Sequence, residues 1–153
     1  MMNKNLFALV LLAACGGKTD FVGGDDDGDD TGGTIVCDGL PKVTHEEFRD
    51  AQQGGVAVLI EAEVVADPQE GCEDKSLVGV WLYYKTQTDS DYRTPIQLTS
   101  QDGFLFSGSI AGPEVSTGSM LYYFKAVGES GDTVDPEGAD EKFSEAYSFG
   151  VSL

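Results

Sequence analysis

The sequence predicts an all-β fold, an antiparallel β-sandwich with one short helix, preceded by a signal peptide and a disordered acidic linker. Three observations predict it. Apolar residues recur with a period of two between Val56 and Val151, turn residues separate these runs, and an acidic, glycine-rich stretch precedes them. A period of two places one face of a strand in the core and the other in water, and several such strands are typical of a sandwich.

Residues 1–14 have the features of an export signal. Lys4 precedes an unbroken apolar run over residues 6–14, which ends at Cys15. A membrane-spanning helix needs about 20 apolar residues, whereas the core of a signal peptide needs only about 7 to 15. The segment is therefore predicted to be a signal peptide that is removed.

The tetrapeptide Leu12-Ala13-Ala14-Cys15 resembles the lipobox of bacterial lipoproteins. This resemblance implies cleavage before Cys15, a diacylglycerol group on its thiol, and acylation of the new amino terminus. The alternative is an ordinary secretory signal whose alanine-rich end happens to precede a cysteine. Many inner-membrane lipoproteins have an aspartate after the cysteine, whereas this chain has Gly16. The resemblance thus implies an exported protein held by lipid to the outer membrane, facing the periplasm or the cell surface.

Residues 15–33 are predicted to form the lipidated cysteine and a flexible tether rich in glycine and aspartate. Phe21 and Val22 are its only large apolar residues, too few to offset the entropy lost on ordering. Five aspartates between Asp25 and Asp30 repel one another and extend the segment. Clustered carboxylates also suggest a Ca²⁺ site, but the alternating ligand spacing and distal glutamate of a calcium loop are missing. A solvated spacer is therefore favoured over calcium binding.

The chain carries 27 acidic residues against 9 basic ones, a formal net charge of −18. Nucleic acid is excluded as a partner, because its binding depends on Lys and Arg side chains that neutralise phosphates. Anionic lipid headgroups would also be repelled, so the lipid on Cys15 is predicted to be the membrane anchor. The remaining residues 34–153 suffice for one domain with one core.

Strands are predicted in order along residues 34–153 from alternating apolar positions. The first strand has apolar side chains at Val56, Val58, Ile60, Ala62 and Val64. The second places Val78, Val80, Leu82 and Tyr84 on one face and Trp81, Tyr83 and Lys85 on the other. Further strands are predicted at residues 96–98, at 104–110 after the turn Gln101-Asp102-Gly103, at 120–127 and at 147–151.

One short helix is predicted at residues 44–53. Thr44-His45-Glu46-Glu47 forms a capping box, whose first and last side chains satisfy backbone amides, and Gly54 provides a stop. The helix is expected to cover one end or edge of the sandwich. His45 is the only histidine of the chain, and this position predicts a surface residue rather than a base or a metal ligand.

Several of the predicted strands resemble bacterial fibronectin type III and immunoglobulin-like modules. The resemblance rests on residues 80–85 (VWLYYK), 95–96 (PI), 103–110 (GFLFSGSI), 120–126 (MLYYFKA) and 131–132 (GD), and covers roughly residues 56–151. It implies a corner tyrosine at Tyr122, with its hydroxyl bonded to nearby backbone, and a Trp81 side chain in or beside the core. Gly128 stands where many relatives have Asp, so the turn-bracing role of that Asp is absent.

Cys37 and Cys72 are the cysteines that remain once Cys15 is lipidated. Two cysteines in an oxidising compartment most simply form a disulfide. Such a bond would connect the segment before the predicted helix to the loop at residues 67–75. The alternative is that both cysteines remain free thiols.

No catalytic constellation is recognisable. The sequence lacks a Gly-x-Ser-x-Gly elbow, a His-Glu-x-x-His pair, a Walker loop and a dinucleotide glycine fingerprint. Glu61 and Glu63 share a strand face, but carboxylate pairs arise by chance in so acidic a chain and indicate a solvated face. We therefore expect no enzymatic activity, no catalytic or metal-binding residues, and no cofactor apart from the lipid.

Two classes of function remain open. The first and favoured one is a non-enzymatic structural, adhesion or protein-interaction module that contacts an envelope partner through its edges and loops. The second is a module that binds carbohydrate or envelope polysaccharide, since exposed aromatic faces stack on sugar rings. Its candidate residues are Trp81, Tyr83, Tyr92 and Tyr123. Three coplanar, exposed aromatic rings on one sheet face would favour the second class.

Overall fold

The computed structural model describes residues 35–72 and 75–153. These residues form two β-sheets packed as a sandwich, which confirms the predicted all-β class. In hydrogen-bonded order, the first sheet contains β1 (Lys42–Thr44), β3 (Val58–Val65), β7 (Leu105–Ile110) and β6 (Thr99–Ser100). The second contains β2 (Gln52–Gln53), β10 (Tyr147–Ser152), β8 (Gly118–Gly128), β4 (Leu77–Thr86) and β5 (Ile96–Gln97). In this sheet, β9 (Asp132–Asp135) pairs with residues 124–127 of β8, beyond the residues of β8 that pair with β10.

The pairing of these strands is antiparallel except between β2 and β10, which run parallel. The alternation predicted for the first strand is confirmed in β3, where Val58, Ile60, Ala62 and Val64 are buried and the intervening side chains are exposed. Val56, predicted to open this strand, lies outside it and is exposed. Its amide closes a turn on the Gln53 carbonyl (3.3 Å), so the chain joins the sheet only at Val58.

Strands β4 and β8 pair along most of their length at the centre of the second sheet. Their side chains in the core between the sheets are Val80, Leu82, Tyr84, Met120, Tyr122, Phe124 and Ala126. Val78, predicted on the same face as Val80, is instead 67% exposed. A β-bulge between Leu77 and Gly79 shifts the alternation by one residue at the start of β4, so that Val78 faces solvent.

The predicted turn at Gln101-Asp102-Gly103 connects β6 to β7. The Asp102 carboxylate accepts hydrogen bonds from the backbone N–H groups of Phe104 and Leu105, both at 2.9 Å. These bonds favour the charged form and lower the pKa of the Asp102 carboxyl. Gly103 has a φ of +83°, a conformation that glycine adopts without steric cost.

The prediction of a helix at residues 44–53 is wrong. Thr44 ends β1 and pairs with Glu63 of β3, and the chain then crosses to β2 in the second sheet without helical turns. The capping box is a local preference only, and contacts across the sandwich override it. Within the described residues, helical structure is limited to two 3-10 turns, at Gly112–Glu114 and Phe143–Glu145.

Thr34–Leu153 forms one compact unit. The signal segment, Cys15, the tether and the aspartates at residues 25–30 lie outside the described residues, so the expectations about them stay predictions. Where the structure describes the chain, no helix has both the length and the apolar character needed to cross a membrane.

Candidate functional site

The four aromatic residues considered for sugar binding lie on or over the outer face of the second sheet. Tyr83 of β4 and Tyr123 of β8 are cross-strand partners, and their rings stack in parallel with centroids 4.7 Å apart and 3° between their planes. Tyr92, in the loop after β4, meets Tyr123 edge-on (4.8 Å, 86°) and donates its hydroxyl hydrogen to the Ala139 carbonyl at 3.2 Å. Trp81 lies two residues before Tyr83 in β4 and is half-buried on the same outer face.

This packing leaves no flat aromatic platform among these four residues. Tyr123 is only 5% exposed, because Tyr83 covers its ring face and Tyr92 stands against it. Burial raises the pKa of the Tyr123 phenol. Sugar stacking needs ring faces open to solvent, so this aromatic group serves mainly to pack two loops onto the sheet.

Lys85 lies on the same outer face, two residues after Tyr83, with only 2% of its surface exposed. Its ammonium lies 3.4 Å from the ring centroid of Phe143 and 5.7 Å from that of Tyr92. It also donates a hydrogen bond of 3.5 Å to the Ser90 carbonyl. A cation held over aromatic faces gains a favourable electrostatic contact that partly replaces lost water.

The sequence placed Lys85 on the outward face of its strand but did not predict its burial. The residues that cover it, Tyr92 and Phe143, belong to loops before β5 and before β10. Neither loop has the alternating pattern from which strands were predicted. No signal in the sequence therefore indicated that these loops fold over β4.

The sulfur atoms of Cys37 and Cys72 lie 2.01 Å apart and their Cα atoms 5.6 Å apart, as the predicted disulfide requires. Beside them, the buried Asp67 carboxylate accepts hydrogen bonds from the N–H groups of Gly39 (3.0 Å) and Gln69 (2.9 Å). Ligand atoms of Cys37, Asp67 and Cys72 lie within 4.8 Å of one another. Metals bind cysteine as a thiolate, so the sulfur of a disulfide is a poor metal ligand. The disulfide and the hydrogen bonds of Asp67 instead brace the loop before β4.

A cleft of about 400 Å³ opens at the same end of the sandwich. Its lining is largely apolar and includes Val64, Phe104 and Phe106. Lys75 also lines it, but its ammonium pairs with the Glu129 carboxylate at 3.0 Å. This bond lowers the pKa of Glu129. The Lys75 ammonium at this cleft is thus already paired with Glu129 of the same chain.

His45 lies where the chain crosses from the first sheet to the second. Its Nδ1 is 2.6 Å from the Glu61 carbonyl oxygen, and its Nε2 is 2.7 Å from the Tyr122 hydroxyl. The ring also contacts Phe124 and Tyr147, with centroid separations of 4.9 and 5.2 Å. The expectation of a surface histidine is therefore wrong, because partners in both sheets satisfy the two ring nitrogens and hold the ring half-buried.

Tyr122 is fully buried, and its hydroxyl bonds to the His45 side chain rather than to nearby backbone. This differs from the corner-tyrosine role that the family resemblance implied. Because a carbonyl oxygen only accepts, the Nδ1–H of His45 donates to Glu61, and the Nε2 and the Tyr122 hydroxyl share the second hydrogen bond. Burial raises the pKa of the Tyr122 phenol.

A polar network lies at the end of β4. Tyr84 donates a hydrogen bond to the Glu114 carboxylate, and the Arg93 guanidinium lies 3.9 Å from Glu114 and 3.2 Å from Asp89. Burial and the bonded Glu114 carboxylate raise the pKa of Tyr84 to about 12. The network ties the loop after β4 to the 3-10 turn at Gly112–Glu114.

The outer face of the first sheet presents both acidic and apolar side chains. Leu59, Glu61, Glu63 and Val65 follow one another along the exposed side of β3, and Leu105 of β7 lies opposite Glu63. We name these five residues the acidic face. Leu59 is 57% and Leu105 43% exposed. Within the part of the chain that the structure describes, Glu61 and Glu63 form no ion pair.

Two clefts of about 360 and 240 Å³ adjoin the acidic face. Glu46 and Glu61 line both of them, Leu59 lines the larger, and Leu105 lines the smaller. Arg49 offsets one charge by pairing with Glu46 at 3.0 Å. Among the described residues, the acidic face therefore combines exposed apolar surface, shallow recesses and carboxylates without an ion-pair partner.

No protein-family model and no curated protein matches this chain. Among solved structures, it is similar to the crystal structure of an engineered protein from the Northeast Structural Genomics Consortium, with a TM-score of 0.47 and 8% sequence identity. The alignment covers 74% of this chain and 20% of that protein. This chain thus spans about a fifth of the other protein's length, and the likeness implies no function.

Proposed function

We propose that this chain is a lipid-anchored, non-enzymatic protein of the cell envelope whose sandwich binds a protein partner through the acidic face. One observation carries the proposal: Glu61 and Glu63, whose carboxylates form no ion pair within the described chain, lie between the exposed apolar side chains Leu59 and Leu105. Exposed apolar groups beside charges that lack an internal partner are typical of surfaces that bind another protein.

Charge complementarity defines the chemistry of the partner. A chain with a net charge of −18 repels acidic proteins and attracts basic ones. Lysine or arginine side chains would pair with Glu61 and Glu63, while apolar side chains cover Leu59 and Leu105. Alternate residues of a strand are spaced by roughly 7 Å. An extended basic segment that also carries apolar residues therefore matches the acidic face.

The envelope location rests on the lipobox resemblance and on composition. Lipid on Cys15 would hold the chain at a membrane, and a tether at residues 15–33 would keep the domain away from anionic headgroups. The described part of the chain begins at Ile35, close in sequence to Cys37 of the disulfide. The tether would thus join the sandwich at its covalently braced end.

Peptide binding tests the acidic face. The probe is an extended peptide of about ten residues in which alternate positions, which share one face, carry two lysines flanked by valines, with serine at the positions between them. The protein is the chain without its signal segment, carrying Cys15→Ser. We expect saturable binding that weakens as salt screens the charges. The double variant Glu61→Gln/Glu63→Gln should bind at least about tenfold more weakly, a loss of roughly 1.4 kcal/mol.

The matched control is Glu137→Gln/Glu141→Gln, which removes the same charge from an exposed loop before β10. It should keep the affinity of the unmodified chain. Equal losses in the two double variants would mean attraction to net charge alone and would contradict a defined binding face. Capture from envelope extracts with the unmodified chain and the Glu61/Glu63 variant would then identify the natural partner.

The carbohydrate-binding alternative depends on Trp81, Tyr83, Tyr92 and Tyr123. Their geometry does not favour it, because Tyr123 is covered by Tyr83 and Tyr92. A titration with neutral oligosaccharides, followed by tryptophan fluorescence, separates the two functions. We expect no saturable change in Trp81 fluorescence, and a saturable change would favour the carbohydrate-binding class.

A further inference from the structure

Lys85 is a buried cation without a carboxylate partner among the described residues. The ion pairs of the described chain use Arg49, Lys75, Arg93 and Lys125. The whole chain has 27 acidic residues for 9 basic ones. A shortage of acidic residues therefore does not explain why the ammonium of this deeply buried lysine has no counter-ion within residues 35–72 and 75–153.

The ammonium of Lys85 is also short of hydrogen-bond acceptors. It carries three N–H donors, and buried charges are normally paired or fully hydrogen-bonded. Its described acceptor is the Ser90 carbonyl at 3.5 Å, and the ring face of Phe143 occupies the position where a counter-ion would be expected. A ring face is a weaker partner for an ammonium than a carboxylate, whose oxygens also accept hydrogen bonds.

A cleft of about 380 Å³ reaches Lys85 between the sheet surface and the 3-10 turn Phe143–Glu145. Leu121 and Phe143 supply apolar walls to this cleft. The amide of Gln87 and the hydroxyls of Ser144 and Ser148 supply groups that both donate and accept hydrogen bonds. The lining thus combines one cation, apolar contact and several uncharged polar groups around a space that suits a molecule of monosaccharide size.

We propose that this cleft binds a six-carbon sugar acid, with the ligand carboxylate paired to the Lys85 ammonium. The carboxylate supplies the acceptors that the ammonium lacks, and Phe143, on its exposed turn, shifts from above the ammonium and becomes an apolar wall. The sugar hydroxyls bond to Gln87, Ser144 and Ser148. This site lies on the outer face of the second sheet and is independent of the acidic face.

The experiment is a ¹H–¹⁵N NMR titration of the chain without its signal segment, carrying Cys15→Ser. The probes are glucuronate and galacturonate, with neutral glucose and galactose beside them. We expect saturable shifts at the amides of Gln87, Leu121, Ser144 and Ser148 with the sugar acids, and none with the neutral sugars. Acetyl-alanine carries a carboxylate but no sugar hydroxyls, so it distinguishes a sugar site from a general carboxylate site. If it bound as tightly as glucuronate and galacturonate, the assignment to sugar acids would be overturned.

The decisive variant is Lys85→Met, which keeps an unbranched side chain and removes the charge. It should weaken binding at least tenfold, whereas Lys125→Met should bind as the unmodified chain does. Lys125 is a matched control because it lies in β8 and its ammonium already pairs with Asp132 at 2.6 Å. Equal affinity in Lys85→Met, or no saturable shift with either sugar acid, would overturn the proposal.

A second variant keeps the test decisive if Lys85→Met does not fold. Ser148 is exposed on β10 and lines the cleft. Ser148→Trp should therefore fill the cleft without changing the melting temperature, and binding of sugar acids should fall at least tenfold. Unchanged affinity in this variant would also overturn the proposal.

Discussion

His45 and Tyr122 are joined across the sandwich, with the imidazole Nε2 2.7 Å from the tyrosine hydroxyl although the residues are 77 positions apart in the chain. His45 belongs to the segment that crosses from β1 to β2, and Tyr122 to β8 in the second sheet. The other imidazole nitrogen bonds to the Glu61 carbonyl of β3 in the first sheet. One side chain thus connects the crossing segment to both sheets.

The substitution His45→Leu should lower the free energy of unfolding. It leaves the fully buried Tyr122 hydroxyl without its partner, and an unsatisfied buried polar group costs about 1–3 kcal/mol. Urea unfolding at neutral pH measures the loss. Adding Tyr122→Phe to His45→Leu should recover part of it, because the unpaired hydroxyl is then removed. An unchanged urea midpoint in His45→Leu would show that the bond contributes nothing to stability.

Cys37 and Cys72 should be bonded, since their Cα atoms lie 5.6 Å apart and they are the two cysteines that a lipid on Cys15 would leave. The unreduced chain should have a mass lower by two hydrogens than the reduced one. With a sequence separation of 35, the chain-entropy model gives a stabilisation of about 4 kcal/mol. Cys37→Ser/Cys72→Ser should therefore melt well below the oxidised chain. Two alkylatable thiols in the native protein would contradict the bond.

Tyr84 should contribute to loss of stability at high pH. Its pKa is raised from 10.0 to about 12 by burial and by Glu114, so the folded state keeps a proton that the unfolded state releases. The stabilisation that the protonated Tyr84 side chain gives the folded state is fully present below about pH 10 and is lost as the pH rises towards about 12. Between these values, the free energy of unfolding of Tyr84→Phe should fall less steeply than that of the unmodified chain. Equal slopes in urea unfolding across that range would refute this role.

Replacing Cys15 with serine should abolish membrane anchoring. The lipobox resemblance implies that lipid is attached to this thiol, and so acidic a chain is repelled by anionic headgroups. Metabolic labelling with a fatty acid, followed by fractionation, measures both lipidation and location. The Cys37→Ser/Cys72→Ser variant is the control and should keep its label. Label and membrane association that persist in Cys15→Ser would make the lipobox assignment wrong.

The alternation of side chains predicted most of the strands because each of these strands has one buried and one wet face. In β3 the buried positions run from Val58 to Val64, and in β10 Phe149 and Val151 are buried as predicted. The pattern failed at Val78, because a bulge changes which face a residue occupies without changing the order of apolar residues.

The helix prediction and the missed cleft share one physical cause, which is dependence on residues distant in sequence. A capping box at Thr44 is a local preference, but Thr44 pairs with Glu63 and His45 with Tyr122. The strand pattern alone predicts that Lys85 faces solvent, but in the structure the loop before β10 places Phe143 over its ammonium. Local sequence does not encode which loop covers which strand, so neither feature could be predicted from it.

The lateral edges of both sheets are short. Strands β1, β2, β5 and β6 contain two or three residues each, and β9 contains four, bounded by Asp132 and Asp135. A long, unpaired strand edge recruits a neighbouring chain through its free N–H and C=O groups. Copies anchored by lipid on one surface would meet in two dimensions at high local concentration. Each of these brief strands would by itself offer such a neighbour only two to four residues for backbone pairing.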